Sequence, residues 1–116
     1  MGKAKKPAAK TRTVRVHQDT VQDVADISYY IGVTQQQPLN AIKVSEAIEK
    51  AIDKIALNPF AYKECEHLPT KTKIYRQAVC LSWLIIYKLT VNEIVVLGVI
   101  HTSRRPARIK KLRGKN

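Results

Sequence analysis

The most constraining feature of this sequence is residues 94–100, an unbroken apolar run that reads IVVLGVI. A strand with one face in water alternates apolar and polar residues, whereas a strand buried on both faces does not alternate. The run is also far shorter than the roughly 20 apolar residues of a membrane span. It therefore predicts a central strand covered on both sides. Gly98 within it predicts a close neighbour or a β-bulge.

Three more segments have the residue patterns of strands. Residues 73–79 and 82–89 are rich in strand-forming residues, and a short turn at 90–92 joins the second of them to the central strand. Residues 11–17 alternate between apolar and polar side chains, as a half-buried strand does. Consecutive strands usually pair, so we expect the last three to form an antiparallel sheet and the first to join one of its edges.

Two amphipathic helices are predicted between the first and second strands. Apolar residues at helical spacing indicate a helix over 20–31, with Asp19 and Thr20 offering N-cap oxygens and Gly32 ending it. A second helix over 39–57 ends before Pro59. The apolar stripe of this second helix consists of Ile42, Ser45, Ile48, Ile52 and Ile55.

These elements predict an α+β fold with the order β-α-α-β-β-β, in which a helical hairpin packs on one face of a small antiparallel sheet. We expect one domain over residues 11–112. Residues 1–10 form a basic N-terminal tail and residues 113–116 a C-terminal tail in this prediction. After the last strand, residues 105–116 either continue as a short helix, which Pro106 allows to start, or stay extended.

The positive charge is concentrated at the two ends of the chain. The net charge is +12, yet residues 1–15 carry six Lys or Arg with no acid and residues 101–116 carry seven with no acid. Residues 16–100 are close to neutral. This distribution predicts attraction to a polyanion or an acidic partner. The second cluster follows an apolar strand directly, so a folded element is expected to hold it in a fixed place.

Several function classes lack their motifs in this sequence. No HExxH, CxxC, phosphate-binding glycine loop or GxSxG is present, so no metal or cofactor is expected. Cys65 and Cys80 are expected to be free thiols of a reducing compartment. No signal peptide or membrane span is recognised, which predicts a cytoplasmic location without membrane association.

A basic set near the end of the predicted sheet is the strongest candidate for chemistry. Its members are Arg76, His101, Ser103, Arg104, Arg105 and Lys110. Such residues suit metal-free RNA cleavage, in which a cation stabilises the phosphorane and a histidine acts as acid or base. The alternative is structural. His101 then merely ends a strand, and Arg76 lies over Trp83 or pairs with an acid.

The order of motifs resembles the RelE/ParE superfamily of toxins from type II toxin–antitoxin modules. The matching pieces are Leu57-Asn58-Pro59, Tyr75-Arg76, the WLIIY segment at 83–87, which resembles Y-x-[IV]-x-Y, and a strand ending in His101 and Arg104, which resembles V-x-H-x-x-R. Each motif is weak alone, but their order and spacing are specific together. The resemblance covers about residues 11–112.

The resemblance implies one of two activities. RelE-like members cleave mRNA on the ribosome, and Arg76, His101 and Arg104 would then be catalytic. ParE-like members instead poison DNA gyrase. Leu84 stands where many RelE-type nucleases have arginine, and no tyrosine follows Tyr87, so the ParE-like activity is favoured. A non-toxic basic nucleic-acid-binding domain is the remaining alternative.

The resemblance also implies a cognate antitoxin and a toxin–antitoxin hetero-oligomer. Antitoxins of this superfamily lay a flexible, often acidic segment across the basic face of the toxin. The residues expected to contact a partner or nucleic acid are Lys73, Arg76, Arg104, Arg105, Arg108, Lys110 and Lys111.

Overall fold

The computed structural model describes residues 12–103 and 106–115. The predicted tail at 1–10 and two predicted site residues, Arg104 and Arg105, lie outside the described residues.

The described chain has the predicted α+β order, followed by a short helix. Its elements are β1 (Thr13–Val16), α1 (Gln18–Tyr29), α2 (Pro38–Leu57), β2 (Tyr75–Cys80), β3 (Trp83–Leu89), β4 (Glu93–His101) and α3 (Pro106–Lys110). A π-helical turn at Tyr30–Thr34 joins α1 to α2, and a 3-10 turn at Pro59–Ala61 follows α2. The helical hairpin is as the sequence predicts. Of the two alternatives for the segment after β4, the structure has the short helix, which begins at Pro106.

The four strands form one mixed sheet in the order β1-β4-β3-β2. The last three strands are antiparallel and β1 lies at the edge, as predicted. β1 pairs in parallel with β4, with Val14 opposite Ile94, so the sheet as a whole is not antiparallel. Alternation along a short strand indicates which face is buried but not the direction of pairing, and the sequence pattern therefore did not contain this feature.

β4 is one of the two inner strands of the sheet, and apolar residues cover both its faces. On the hairpin face, Ile94, Val96 and Val99 pack with residues of α1 and α2. On the opposite face, Val95 and Leu97 belong to a cluster completed by residues of the loop before β2 and of the C-terminal segment, namely Cys65, Leu68, Ile109 and Leu112. The two-sided burial of this strand that the apolar run predicts is confirmed. Separately, both cysteines are free thiols and are buried.

Gly98 has both features that the sequence predicts for it. The pairing of β3 with β4 shifts after the Ile86–Gly98 pair, because Tyr87 pairs with Val96 and leaves Leu97 as a bulge. A Cβ on Gly98 would lie 3.3 Å from Asp23 Oδ2 and 3.5 Å from a Leu112 methyl group. The missing side chain thus lets β4 pass close to α1 and to the C-terminal segment.

The ends of α1 differ from the sequence prediction. His17 is the N-cap residue, and its Nδ1 accepts a hydrogen bond from the backbone N–H of Asp19. Thr20 is buried instead, and its hydroxyl donates to the carbonyl of Val96 at 3.0 Å. Gly32 does not stop the helix but lies within the π-helical turn, where a Cβ would be 3.2 Å from that of Ala41. Gly32 therefore allows close packing of α2.

Candidate functional site

His101 ends β4 and contacts Trp83 on the neighbouring strand. The two rings meet edge to face, with centroids 4.9 Å apart and planes at 89°. The His101 Nδ1 accepts the backbone N–H of Ser103 and lies 2.7 Å from its hydroxyl oxygen. These contacts fix the ring in the turn after β4. Within the described chain, Nε2 has no hydrogen-bond partner and remains available.

Arg76 on β2 is held by the segment that follows α2. Its Nη1 donates to the carbonyls of Tyr62 at 2.9 Å and Phe60 at 3.4 Å, and its Nε donates to the carbonyl of Lys73 at 3.2 Å. The guanidinium also lies 5.2 Å from the centre of the Phe60 ring. The backbone of Arg76 pairs with that of Glu64. Its side chain, however, makes no ring contact with Trp83 and no ion pair with an acid of the described chain, which were its expected structural interactions. Instead its hydrogen bonds connect two turns, the one that contains Phe60 and Tyr62 and the one at Lys73, to β2.

The structure does not bring Arg76 and His101 together. Arg76 pairs with Tyr87 of β3, whereas His101 pairs with Trp83 of the same strand. These two β3 positions are four residues apart, which is about 13 Å along a strand. Tyr87 is fully buried and donates to the carbonyl of Pro59 at 2.6 Å, and burial raises the pKa of its hydroxyl. Its proton is therefore committed to a structural hydrogen bond.

The other predicted cations lie on two exposed surfaces. Lys73 lies in the turn before β2 with φ of 56°. Arg108, Lys110 and Lys111 are exposed in and just after α3, and none of them makes an ion pair with a described residue. Ile109 is 3% exposed and anchors α3 on the sheet. A folded element therefore holds these three cations in a fixed place.

A cavity of about 620 Å³ lies between α1, the end of β4 and α3. Its lining includes Asp23, Asp26, Tyr30, Trp83, His101 and Arg108. Sequence reasoning did not include Asp23 among the candidate site residues. In the structure it is half-buried, and its Oδ2 accepts the backbone N–H of Val99 at 3.0 Å. Loss of solvent raises the pKa of this carboxyl above its ordinary value, and the Val99 hydrogen bond opposes the shift.

The stability of Asp23→Asn relative to the wild type is expected to increase as the pH rises. The pKa of Asp23 is 3.8 in the unfolded chain and higher in the folded state. The folded state therefore keeps the Asp23 proton to a higher pH than the unfolded chain does. The wild type therefore loses unfolding free energy at this site as the pH rises from about 3.8 through the raised pKa. Urea denaturation of both proteins from about pH 3 to pH 7 measures the difference, and a difference that is constant over this range contradicts the prediction.

No group of three or more His, Cys, Asp or Glu side chains within residues 12–103 and 106–115 is arranged to hold a metal ion. Over the same residues, no helix is both long enough and apolar enough to cross a membrane.

The comparisons with known proteins give one decisive match. The sequence model of the family described as the ParE toxin of the type II toxin–antitoxin system, parDE, matches residues 14–106. The chain belongs to this ParE toxin family. The match spans both long helices and, from Val14 onward, every described strand. It confirms the resemblance to the superfamily and, within it, to the ParE-like members. Among curated proteins, none has significant sequence similarity to this chain.

A solved structure has the same fold. It is described as the chromosomal ParDE TA system from P. aeruginosa, and the TM-score is 0.62 at 12% sequence identity. The alignment covers 80% of this chain and 98% of the matched chain. The two chains therefore share this α+β fold.

Proposed function

We propose that this ParE-family toxin arrests growth by binding DNA gyrase, and that it acts through binding rather than through chemistry of its own. The observation that carries the proposal is the engagement of Arg76 by three backbone carbonyls, away from His101. Gyrase is a cytoplasmic enzyme, so the proposal includes a cytoplasmic location.

Metal-free RNA cleavage requires a cation and an acid–base group at one phosphate. Here the guanidinium of Arg76 is committed to the turns around Phe60 and Lys73, and His101 lies about 13 Å farther along the sheet. The buried Tyr87 hydroxyl is bonded to Pro59. Within the described chain, Arg76, Tyr87 and His101 are therefore spread out, and this favours a toxin that binds its target over one that cleaves RNA.

The exposed cations of α3 supply the contact surface in this proposal. Arg108, Lys110 and Lys111 are exposed and make no ion pair with a described residue, so they are available to an anionic partner. An antitoxin with an acidic flexible segment would neutralise the same surface in a hetero-oligomer, which is consistent with a toxin of a type II toxin–antitoxin system.

A gyrase cleavage assay on supercoiled plasmid tests the proposal. Purified toxin with gyrase and ATP is expected to yield linear plasmid after protein removal, and the toxin without gyrase is expected to yield none. Intact plasmid in the presence of toxin that is folded by circular dichroism would contradict gyrase as the target.

Replacing Lys110 and Lys111 together with alanine is expected to raise the toxin concentration for half-maximal cleavage about tenfold. Each exposed lysine contributes up to about 1 kcal/mol to contact with an anionic partner, and about 1.4 kcal/mol corresponds to a factor of ten. The matched control replaces Lys63 and Lys71, two exposed lysines of the loop before β2, and is expected to change the concentration less than twofold. Equal effects of the two double variants would refute a specific role for α3.

Ribosome-dependent mRNA cleavage is the second candidate, and one observation favours it. His101 lines the cavity, and its Nε2 has no hydrogen-bond partner within the described chain, so this nitrogen is available for acid–base chemistry. Primer extension on transcripts from induced cells tests this candidate. Cuts in register with codons that disappear in His101→Ala would support it over gyrase. Cuts that persist in that variant would exclude His101 from catalysis.

A further inference from the structure

The outer face of α2 has a pattern that neither the core nor the proposed target contact uses. Six residues recur at intervals of four and three along this helix, and all six are exposed. They are Leu39, Lys43, Glu46, Lys50, Asp53 and Leu57, called here the α2 stripe. At 100° per residue they lie within about 40° of one line, opposite the face that holds Ile48 and Ile55 in the core.

The α2 stripe is complementary to its own reverse. Read from either end, it begins with leucine and then alternates in charge about a centre midway between Glu46 and Lys50. When a second α2 is placed antiparallel on this centre, Lys43 faces Asp53 and Glu46 faces Lys50. Leu39 faces Leu57 at both ends. Every charge in this register meets its opposite.

The stripe residues have no competing partners within the described chain. None of the four charged members makes an ion pair there, although Glu46 and Lys50 are four residues apart on one helix. Leu57 and Leu39 are 86% and 75% exposed, the highest values among the large apolar residues described. Two such leucines at the ends of a charged stripe are unfavourable in water and favourable against a second apolar surface.

We propose that the α2 stripe is the interface of a two-fold symmetric homodimer of this toxin. A two-fold axis brings the same patch of each protomer together, which requires a self-complementary surface such as this one. Leu39 and Leu57 are 18 residues apart, so the contact runs about 27 Å along the helix. One helix pair of this length buries less than a standard interface, so the dimer is expected to be weak and sensitive to salt.

Sedimentation velocity over a range of toxin concentrations at low and high salt tests the proposal with a charge-swap series. Lys43→Asp places like charges opposite each other at two symmetric positions, and it is expected to raise the dimer dissociation constant at least tenfold. Adding Asp53→Lys to this variant restores both pairs and is expected to bring the constant back to within threefold of the wild type. Lys71→Asp changes the net charge equally, away from α2, and is expected to have little effect.

Cysteine cross-linking tests the register independently. The variant with both Leu39→Cys and Leu57→Cys is expected to form a covalent dimer on mild oxidation. Each single variant is expected to remain monomeric under denaturing conditions, because its two new thiols would lie about 27 Å apart. The native Cys65 and Cys80 are buried and therefore protected from this reaction.

Three results would overturn the proposal. The first is a toxin that stays monomeric at high concentration and low salt. The second is a Lys43→Asp variant that behaves like Lys71→Asp or is not rescued by Asp53→Lys. The third is an α2 stripe that becomes protected only in complex with an antitoxin, which would assign this surface to that partner. None of these results depends on whether gyrase is the target.

Discussion

Replacing Arg76 with alanine is expected to lower the free energy of unfolding by about 2–3 kcal/mol. The guanidinium donates to three backbone carbonyls, of which the Tyr62 carbonyl is partly buried. In the variant these carbonyls lose a charged donor. The Phe60 ring also loses one of its two cations, while Arg12 remains 5.1 Å from the ring centre. Urea denaturation followed by circular dichroism measures the change.

Arg76→Lys separates the shape of the guanidinium from its charge. Lysine keeps the positive charge but has no planar fork of donors that reaches three carbonyls at once. We therefore expect Arg76→Lys to lose most of the stability that Arg76→Ala loses. Arg113→Ala is the matched control, because Arg113 likewise lies over an aromatic ring, that of Tyr75, but donates to a single described carbonyl, that of Pro69. It is expected to cost about 1 kcal/mol.

The same variants test the role of Arg76 in toxicity. If Arg76 fastens turns, the folded fraction of Arg76→Ala remains toxic below its melting temperature, and any loss of toxicity follows the loss of folded protein. If Arg76 instead stabilises a reacting phosphate, toxicity disappears in Arg76→Ala while the unfolding free energy stays close to that of the wild type. That second outcome would contradict the structural role and favour the nuclease.

The elements of this fold were predictable because their signals are local. The non-alternating run of β4 needs cover on both sides, and both clusters of the core provide it. Pro59 and Pro106 place a helix end and a helix start where their rings allow. The features that were missed depend on distant partners. Three interactions join β1 or α1 to β4, which is more than 70 residues away in the sequence. They are the parallel pairing of β1, the hydrogen bond from the Thr20 hydroxyl to the Val96 carbonyl, and the hydrogen bond from the Val99 N–H to the Asp23 carboxylate.

The candidate site was less predictable than the fold, because residue type does not reveal a residue's partners. Arg76 is a residue type that suits a catalytic cation, yet its N–H groups donate to backbone carbonyls. Every residue has such a carbonyl, so the sequence does not indicate which carbonyls accept these hydrogen bonds. His101 was placed at the end of a strand correctly, but its contact with Ser103 depends on the turn that follows. The exposed cations of α3 were recognisable from the sequence because they form a cluster of positive charge. They also follow an apolar strand directly, which indicated that a folded element holds them in place.

Ile48→Ala is expected to have a larger effect on stability than any surface variant described above, about 2–5 kcal/mol. Ile48 is 1% exposed and lies in the core between α2 and the sheet. A domain of this size is stable by about 5–15 kcal/mol, so this loss is a large fraction of the total. Removal of the side chain leaves a cavity that the sheet cannot close.

Ile42→Ala is the matched control for Ile48→Ala on the same helix. The sequence pattern placed Ile42 in the same buried stripe, but it is 54% exposed, and Ala41 and Val44 are buried in its place. The buried face of α2 is therefore rotated relative to the predicted stripe, toward the small Ala41 that packs beside Gly32. Ile42→Ala is expected to cost less than about 1 kcal/mol. Equal losses in the two variants would show that the predicted stripe, and not the one in the structure, faces the core.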